Sequence, residues 1–319
     1  MIRPFFFLVL SASLLWMPPA CPAKERAAKV HRESESVRVR HGASKSRGRA
    51  VHVTRRPRRH LQGQSMFVWN ELLSGDIASY AAMLKATGIS CVIVKYADGC
   101  EWGVRNTRGE FQTHLNQRMI AGFHAAGIRC YGYVTAWLKP GSDIRKTVRH
   151  TVNILHRTDV EGVVIDDVFA YGTNPKQTEY LFSNVRHHID TCPNCRGKML
   201  SFSTFPNVWS RRDLRWDIPL RYADAYLPQI YWAVKKTTPE EAVSAFQAEW
   251  RNYRRAHRKR VRARVIPVAS TAGVSPIQIR RFVTACKRAG YSDRAYFRLG
   301  TTSAAEREII RMTGKNDRN

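Results

Sequence analysis

Apolar and polar positions alternate between two periodicities from about residue 65 onward. Short runs rich in β-branched and aromatic residues are bounded by Gly, Pro, Asn, Asp or Ser, and longer segments with helical spacing follow them. The runs predict eight strands, at 66–72, 91–96, 129–137, 162–168, 198–205, 225–232, 264–270 and 295–299. The intervening segments predict helices at 76–86, 110–126, 144–156, 176–189, 211–222, 239–257, 277–289 and 304–312. The helix at 211–222 is the weakest of these, because Pro219 interrupts it.

This alternation predicts the fold class. Strands and helices that alternate strictly imply parallel strands with right-handed crossovers, and eight units in about 250 residues is the size of the closed barrel. An open doubly wound sheet would need a glycine-rich turn after its first strand, but residues 70–76 contain a single glycine, Gly75. We therefore predict an α/β fold, a (β/α)8 TIM barrel that spans residues 65–319.

The first 23 residues have the pattern of a secretory signal peptide. Arg3 precedes an apolar run over 5–17, and small residues follow, so cleavage is expected after Ala23. The alternative is a lipoprotein acylated at Cys21, although Pro18 fits that pattern poorly. The expected location is secreted or periplasmic.

Residues 24–64 form a basic segment between the signal and the barrel. Thirteen Lys and Arg stand against three Glu between Lys24 and Arg59, with almost no large apolar residue, so we expect a disordered tether. The whole chain has a formal net charge of +28. A polycation outside the membrane meets an anionic envelope surface, and no specific nucleic-acid partner is expected. A solubilising tail without a partner is the alternative interpretation.

Cysteine usage also fits an oxidising compartment. Six cysteines remain after the signal, and Cys192 and Cys195 form the single local pair. We predict a disulfide between these two, with redox activity or metal binding as alternatives. No second pair and no His-x-x-x-His lies near them in sequence, so no metal site is predicted. No cofactor motif is visible.

In a barrel of this kind the active site lies at the C-terminal ends of the strands. Those ends are rich in carboxylates, aromatic rings and amides, and they carry Trp69, Glu71, Lys95, Tyr96, Asp98, Tyr133, Thr135, Trp137, Asp166, Asp167, Ser203, Gln229, Tyr231, Trp232 and Arg298. Aromatic faces with hydrogen-bonding groups beside acids are typical of a sugar site. The predicted substrate-binding residues are Trp69, Lys95, Tyr96, Tyr133, Trp137, Gln229, Tyr231, Trp232 and Arg298.

Two adjacent acids, Asp166 and Asp167, end the fourth predicted strand. Buried acids need partners, so these should lie at the rim, and strand alternation lets only one of them point into the barrel mouth. The alternative is a structural role, with the acids capping the next turn or pairing with Lys95. The predicted catalytic residues are Asp166, then Asp167, with Asp98 as the second acid. Glu71 and Glu101 are alternatives for that second acid.

The segments 162–168 (GVVIDDV) and 227–232 (LPQIYW) resemble the fourth-strand and sixth-strand motifs of secreted glycoside-hydrolase barrels of the polygalactosaminidase, chitinase and lysozyme types. The resemblance implies a barrel that hydrolyses glycosidic bonds with an acid on the fourth strand. Chitinase-type and lysozyme-type members have Asp-x-Glu there, whereas this chain has Val168 in the Glu position when Asp166 is aligned with the Asp.

Three functional hypotheses follow. The first is a glycoside hydrolase acting on an envelope or extracellular polysaccharide, such as peptidoglycan or an acidic exopolysaccharide. The second is a non-catalytic carbohydrate-binding barrel, which Val168 favours. The third is a polyanion binder that uses the basic cluster at 251–264.

Overall fold

The structure is a computed structural model that describes residues 61–69, 76–99, 101–102, 104–105, 111–112, 115–136, 138, 143–169, 174–257 and 261–315. The predicted signal peptide, most of the predicted tether and Trp137 lie outside these residues. The last tether residues prove to belong to the barrel. Leu61 is fully buried in its interior, and Gln64 begins the first strand.

Within the described residues the chain alternates between strands and helices. The strands are Gln64–Val68 (β1), Ile89–Asp98 (β2), Glu101–Trp102 (β3), Val104–Arg105 (β4), Phe111–Gln112 (β5), Arg129–Thr135 (β6), Gly162–Asp166 (β7), Met199–Thr204 (β8), Ala225–Pro228 (β9), Arg264–Val265 (β10), Val268–Ser270 (β11) and Arg294–Phe297 (β12). The helices are Ile77–Ala86 (α1), Gln117–Ala125 (α2), Ile144–Arg157 (α3), Pro175–Thr191 (α4), Asp217–Tyr222 (α5), Pro239–Ala256 (α6), Pro276–Arg288 (α7) and Ala304–Lys315 (α8).

Nine parallel strands form one curled sheet in the order β10-β9-β8-β7-β6-β2-β1-β12-β11. The two edge strands of this sheet, β10 and β11, are consecutive in the chain. Strand β10 pairs with β9, and β11 pairs with β12. Only Ile266 and Pro267 separate β10 from β11, and Gln229 bridges to Val268 on the β9 side. The arrangement is consistent with the predicted eightfold barrel. The short strand β3 adds to β2 in antiparallel fashion, and β4 pairs with β5.

Two apolar clusters reflect the alternation of side chains along the strands. Phe67, Ile93, Tyr133, Val164 and Leu227 belong to the interior cluster enclosed by the sheet. The second and larger cluster lies between the sheet and the helices, and it takes the alternate residues of the same strands. A side chain's position in the strand therefore determines whether it reaches the barrel mouth or the helix layer.

Local capping explains where several helices begin. The Asp76 side chain accepts hydrogen bonds from the backbone of Ala78 and Ser79, and Thr238 forms a capping box with Glu241. Asn116 caps α2 in the same way. No helix in the described part of the chain is long and apolar enough to span a membrane.

Two predicted helices were too long. The helix predicted at 110–126 begins only at Gln117, and Phe111–Gln112 is a strand instead. The helix predicted at 211–222 is confined to Asp217–Tyr222, with Pro219 in its first turn, where the missing N–H of proline costs no helical hydrogen bond.

Candidate functional site

The inward-facing residues at the C-terminal strand ends form a polar layer at the barrel mouth. Lys95, Thr135, Asp166 and Gln229 each follow a residue of the interior cluster by two positions, so they share its face of the sheet. All four are buried. The sequence thus places a lysine, a carboxyl, an amide and a hydroxyl side by side above an apolar interior.

Asp166 is the central group of this layer. It ends β7 and is 6% exposed. Burial and the nearby negative charge of Asp167 raise its pKa from 3.8 to about 7, whereas a hydrogen bond with Ser203 and the positive charge of Lys95 act in the opposite direction. A carboxyl in this environment holds its proton close to neutral pH.

The two adjacent acids share one hydrogen-bond donor. The Gln229 Nε2 amide lies 3.2 Å from Asp166 Oδ1, 3.2 Å from Asp167 Oδ1 and 3.2 Å from Ser203 Oγ. The expectation that only one acid could turn toward the mouth was wrong. Asp167 has a left-handed backbone, with φ of 52°, which ends the strand alternation and brings its carboxylate back beside Asp166.

Lys95 connects the second and third strand ends of the layer. Its Nζ donates to Asp98 Oδ1 at 3.1 Å and to Thr135 Oγ1 at 2.9 Å. In the parallel pairing of β6 with β7, the backbone of Thr135 lies beside that of Asp166. The structural alternative, in which Lys95 forms an ion pair with the adjacent acids, is replaced by a pair with Asp98, whose side chain is 27% exposed.

A half-buried tryptophan borders the layer on the side of β1. The Trp69 ring lies 4.8 Å from Lys95 Nζ and 4.4 Å from the guanidinium carbon of Arg298, both measured to the ring centroid. These are cation–π distances. The structure therefore brings Trp69, Lys95 and Arg298 together at the mouth, and their role in binding substrate stays a prediction.

Tyr231 reaches the same region from the loop after β9. It is half-buried, and burial together with the charges of Asp166 and Asp167 raises its pKa well above 10. Its hydroxyl therefore stays protonated at physiological pH and can donate a hydrogen bond. Tyr231 also packs against Phe297, with ring centroids 6.1 Å apart.

Three of the predicted sugar-contacting aromatic residues lie elsewhere. Trp232 is fully buried and stacks on Phe282 of α7, while Tyr96 is 7% exposed within the sheet–helix layer. By the alternation of side chains along their strands, both residues point toward the helices. The prediction selected residues by their position at strand ends and did not take this alternation into account. Tyr133 faces inward, but it is 1% exposed and packs under the mouth against Phe67.

Two polar residues of the site had no assigned role in the sequence analysis. Ser203 hydrogen-bonds with Gln229 and Asp166, and Thr135 accepts from Lys95. Both lie at strand ends, and their side chains face the same side of the sheet as Asp166. The alternation of side chains along the strands could therefore have identified them from the sequence. Of the alternative acids, Glu71 and the side chain of Glu101 lie outside the described residues.

The predicted cysteine pair lies just before β8, at the end of the sheet opposite to this layer. Cys192 and Cys195 are free thiols in this structure, and the disulfide between them stays a prediction.

Val168, which takes the Glu position of the chitinase pattern, is 1% exposed in the sheet–helix layer and adds no acid to the mouth.

Comparison with known proteins gives a fold likeness only. No family model matches the chain, and no curated protein matches it. The endo-1,4-β-mannanase of Rhizomucor miehei superposes with a TM-score of 0.56 and 12% identity, covering 81% of this chain and 94% of that chain. The chitinase of Chromobacterium violaceum gives 0.53 and 10%, covering 80% and 99%, respectively. The spore cortex-lytic enzyme of Bacillus cereus gives 0.55 and 9%, covering 79% and 74%. The chain therefore shares its barrel fold with glycoside hydrolases.

Proposed function

We propose that this chain is an exported glycoside hydrolase that cleaves an envelope or extracellular polysaccharide. The observation that carries the proposal is Asp166, a buried carboxyl at the C-terminal end of a barrel strand with a pKa of about 7. A carboxyl that keeps its proton near neutral pH can protonate the oxygen of a departing sugar. The fold shared with mannanases and chitinases supports the same chemistry.

Asp98 is the second carboxyl of the proposed mechanism. It lies on β2, two strands away from Asp166, with β6 between them. Neighbouring strands are about 4.8 Å apart, so the two backbones are separated by roughly 10 Å. The carboxyls of inverting glycosidases lie about 6.5–9.5 Å apart, and side chains that turn toward each other from backbones at that separation can reach this range, with room for a water molecule between them. Asp166 then acts as the acid, and Asp98 activates the water.

Gln229 and Lys95 position the two acids. The Gln229 amide holds Asp166 and Asp167 together, and Lys95 orients Asp98. Arg298 over Trp69 and the protonated hydroxyl of Tyr231 are placed to meet sugar hydroxyls or a sugar carboxylate. The positive charge of Arg298 favours an acidic exopolysaccharide as the substrate, and peptidoglycan is the other substrate we would test.

Export and envelope contact belong to the same proposal. Residues 1–23 have the order of a cleaved signal peptide, and the basic tether would hold the enzyme near anionic polymers. Cleavage near Ala23 is favoured over lipidation at Cys21.

Reducing-end release from a panel of peptidoglycan, chitin, galactosaminoglycan and acidic exopolysaccharide tests the proposal. We expect the mature protein to hydrolyse at least one polymer, and we expect Asp166→Asn to lower turnover at least about 100-fold, the size of a typical acid–base contribution. Asp159→Asn is the matched control, because this exposed acid lies before β7, at the opposite end of the same strand. Unchanged turnover in Asp166→Asn would remove this residue from the mechanism.

The non-catalytic carbohydrate-binding barrel is the second candidate. It is favoured by Val168, which leaves the fourth strand without the Glu of chitinase-type sites. Retained binding to a polysaccharide, with no reducing ends released from any polymer of the panel, would establish this candidate instead.

A further inference from the structure

Two cysteines and two histidines converge at the end of the barrel opposite to Asp166. His156 lies near the C-terminus of α3, His188 lies in the last turn of α4, and Cys192 and Cys195 lie in the turn that leads into β8. One ligand-type atom from each residue lies within 4.8 Å of those of the other three. The sequence analysis found no His-x-x-x-His near the cysteine pair, because the two histidines are 32 positions apart in sequence and lie on separate helices.

Two of the six distances between the four ligand atoms are close to those of a tetrahedral metal site, and all six are within 4.8 Å. His156 Nδ1 is 3.4 Å from Cys192 Sγ, and His188 Nε2 is 3.4 Å from Cys195 Sγ. With Zn–S bonds of about 2.3 Å and Zn–N bonds of about 2.0 Å, tetrahedral geometry sets neighbouring S and N ligands about 3.6 Å apart. Small side-chain rotations would bring the remaining pairs to the same spacing.

We propose that these four side chains bind one zinc ion in a structural Cys2His2 site. Zinc takes two thiolates and two neutral imidazoles, and the thiol protons that remain leave to solvent as the metal binds. Two thiolate charges balance the charge of the ion, so the completed site is neutral. Four protein ligands close the coordination sphere, which is typical of structural rather than catalytic zinc.

The backbone already presents the two sulfur atoms together. The N–H groups of Cys195 and Arg196 both donate to the carbonyl of Cys192, which forms a tight turn directly after α4. Gly197, with φ of +85°, then turns the chain toward β8. Lys198 docks this turn on the end of α3 by donating to the carbonyls of Leu155 at 2.7 Å and Thr158 at 2.6 Å.

Electrostatics at the cluster favour the metal-binding forms of two ligands. Burial and the neighbouring histidines lower the pKa of His188, which favours the neutral imidazole. Hydrogen bonds with Cys195 and His156 lower the pKa of Cys192 to about 7, which favours its thiolate. Thiolate and neutral imidazole are the forms that ligate zinc. Burial and the neighbouring Cys192 raise the pKa of Cys195 to about 12, so this thiol would lose its proton only as the metal binds.

A metal would stabilise this end of the barrel more than the predicted disulfide. A Cys192–Cys195 disulfide closes a loop of only a few residues, and the chain entropy removed by a cross-link grows with loop length. Zinc would join α3, α4 and the entry to β8, and His156 is separated from Cys192 by 36 positions. The site thus ties together segments that are distant in sequence.

The test is metal content and spectroscopy of the purified mature protein. We expect about one zinc per chain after dialysis, and tetrahedral visible bands with a thiolate charge-transfer band after cobalt substitution. His156→Ala and Cys192→Ser should lose both signals and the rise in melting temperature that zinc produces. His187→Ala is the control, since this exposed neighbour of His188 lies outside the cluster.

Three results would overturn the proposal. One is zinc far below one equivalent in the reduced protein supplied with zinc. Another is equal zinc content in His156→Ala and in the control. The third is a mass two hydrogens lower without bound metal, which would show that the disulfide forms instead. Because His156 is exposed, its alanine variant should fold, and the test does not depend on the cysteine variant alone.

Discussion

At the scale of single residues, the surroundings of Asp166 decide which chemistry the barrel mouth can perform. The hydrophobic periodicity and the position at a strand end were enough to single out Asp166 and Gln229 from sequence. Their hydrogen bond, and the raised pKa of Asp166, were not predictable, because they depend on burial and on a partner 63 positions away. The left-handed backbone of Asp167 was also missed, because aspartate adopts this conformation more often than most residues but far more often adopts an extended or helical one.

Asp166 should reduce the stability of the folded protein at neutral and alkaline pH. Its pKa is raised from 3.8 to about 7 on folding, so the folded chain binds more protons between these values and loses stability as pH rises through that window. Asp166→Asn should therefore be more stable than the native protein at pH 8, by up to about 4 kcal/mol, since each pKa unit corresponds to about 1.4 kcal/mol. Urea unfolding at pH 8 and pH 4 measures the difference.

The gain should shrink on acidification to less than about 1 kcal/mol at pH 4, near the unfolded pKa of 3.8, and it should vanish below about pH 3, where Asp166 is protonated in both states. Asp159→Asn serves as the control, and its effect should stay small at either pH because the residue is exposed. A stability gain in Asp166→Asn that is equal at pH 4 and pH 8 would show that burial does not raise this pKa.

At the scale of elements, the alternation of strand and helix patterns predicted the order of the barrel. The pattern predicted one seventh strand at 264–270, whereas the structure divides it into β10 and β11 around Pro267. Proline lacks the N–H that a continuous strand would donate, and this break lets the two parts pair with different neighbours. The short strands β3, β4 and β5 contain too few residues for a periodicity to be detected.

Gly162 at the start of β7 should be intolerant of any side chain. A Cβ there would overlap the backbone carbonyl and nitrogen of Met199 on β8, which cannot move without breaking the ladder. Gly162→Ala should lower the free energy of unfolding by about 1–3 kcal/mol, as overpacking does in other cores. Chemical denaturation measures this loss.

Gly122→Ala is the comparison, because a Cβ there, in α2, lies 2.7 Å from the γ2 methyl group of Ile77 and meets a side chain rather than backbone. Alanine favours a helix by about 1 kcal/mol over glycine, which offsets part of the cost of shifting Ile77, so this variant should lose less stability than Gly162→Ala. If both variants lost equal stability, the close approach of β7 and β8 would not be what requires Gly162.

At the scale of the whole molecule, the formal charge of +28 favours association with anionic surfaces. Within the described residues, Arg251, Arg254, Arg255 and Arg262 are exposed at the C-terminal end of α6 and just beyond it. Helix α6 follows β9, so its C-terminus lies at the end of the barrel opposite to the mouth. Charge there suits docking rather than catalysis.

Removing residues 24–59, which leaves the barrel residues from Leu61 onward in place, should weaken binding to anionic vesicles at low salt by at least tenfold. The segment from Lys24 to Arg59 carries thirteen Lys and Arg against three Glu, and each basic residue near such a surface contributes about 1 kcal/mol. Vesicle sedimentation at several salt concentrations measures the effect, with Arg251→Gln, Arg254→Gln and Arg255→Gln combined as the comparison. Binding that is unchanged by the deletion, or insensitive to salt, would refute the role of the tether.

More of the fold than of the functional site could be predicted from the sequence. Alternating patterns are repeated over eight units, so errors at single elements did not disturb the predicted barrel. The site depends on a few contacts such as those of Lys95 with Asp98 and Thr135, which no periodicity encodes. A barrel shared at 9–12% identity supports the fold, and the chemistry has to come from the residues of the mouth.

The pH dependence of reducing-end release from the cleaved polysaccharide is the most direct test of Asp166 as the general acid. Turnover should fall by about tenfold per pH unit above roughly pH 7, as Asp166 loses its proton, and Asp166→Asn should show only a low residual rate without that limb. A native rate that stays constant from about pH 6 to pH 9, or a full rate in Asp166→Asn, would contradict the assignment of Asp166 as the acid.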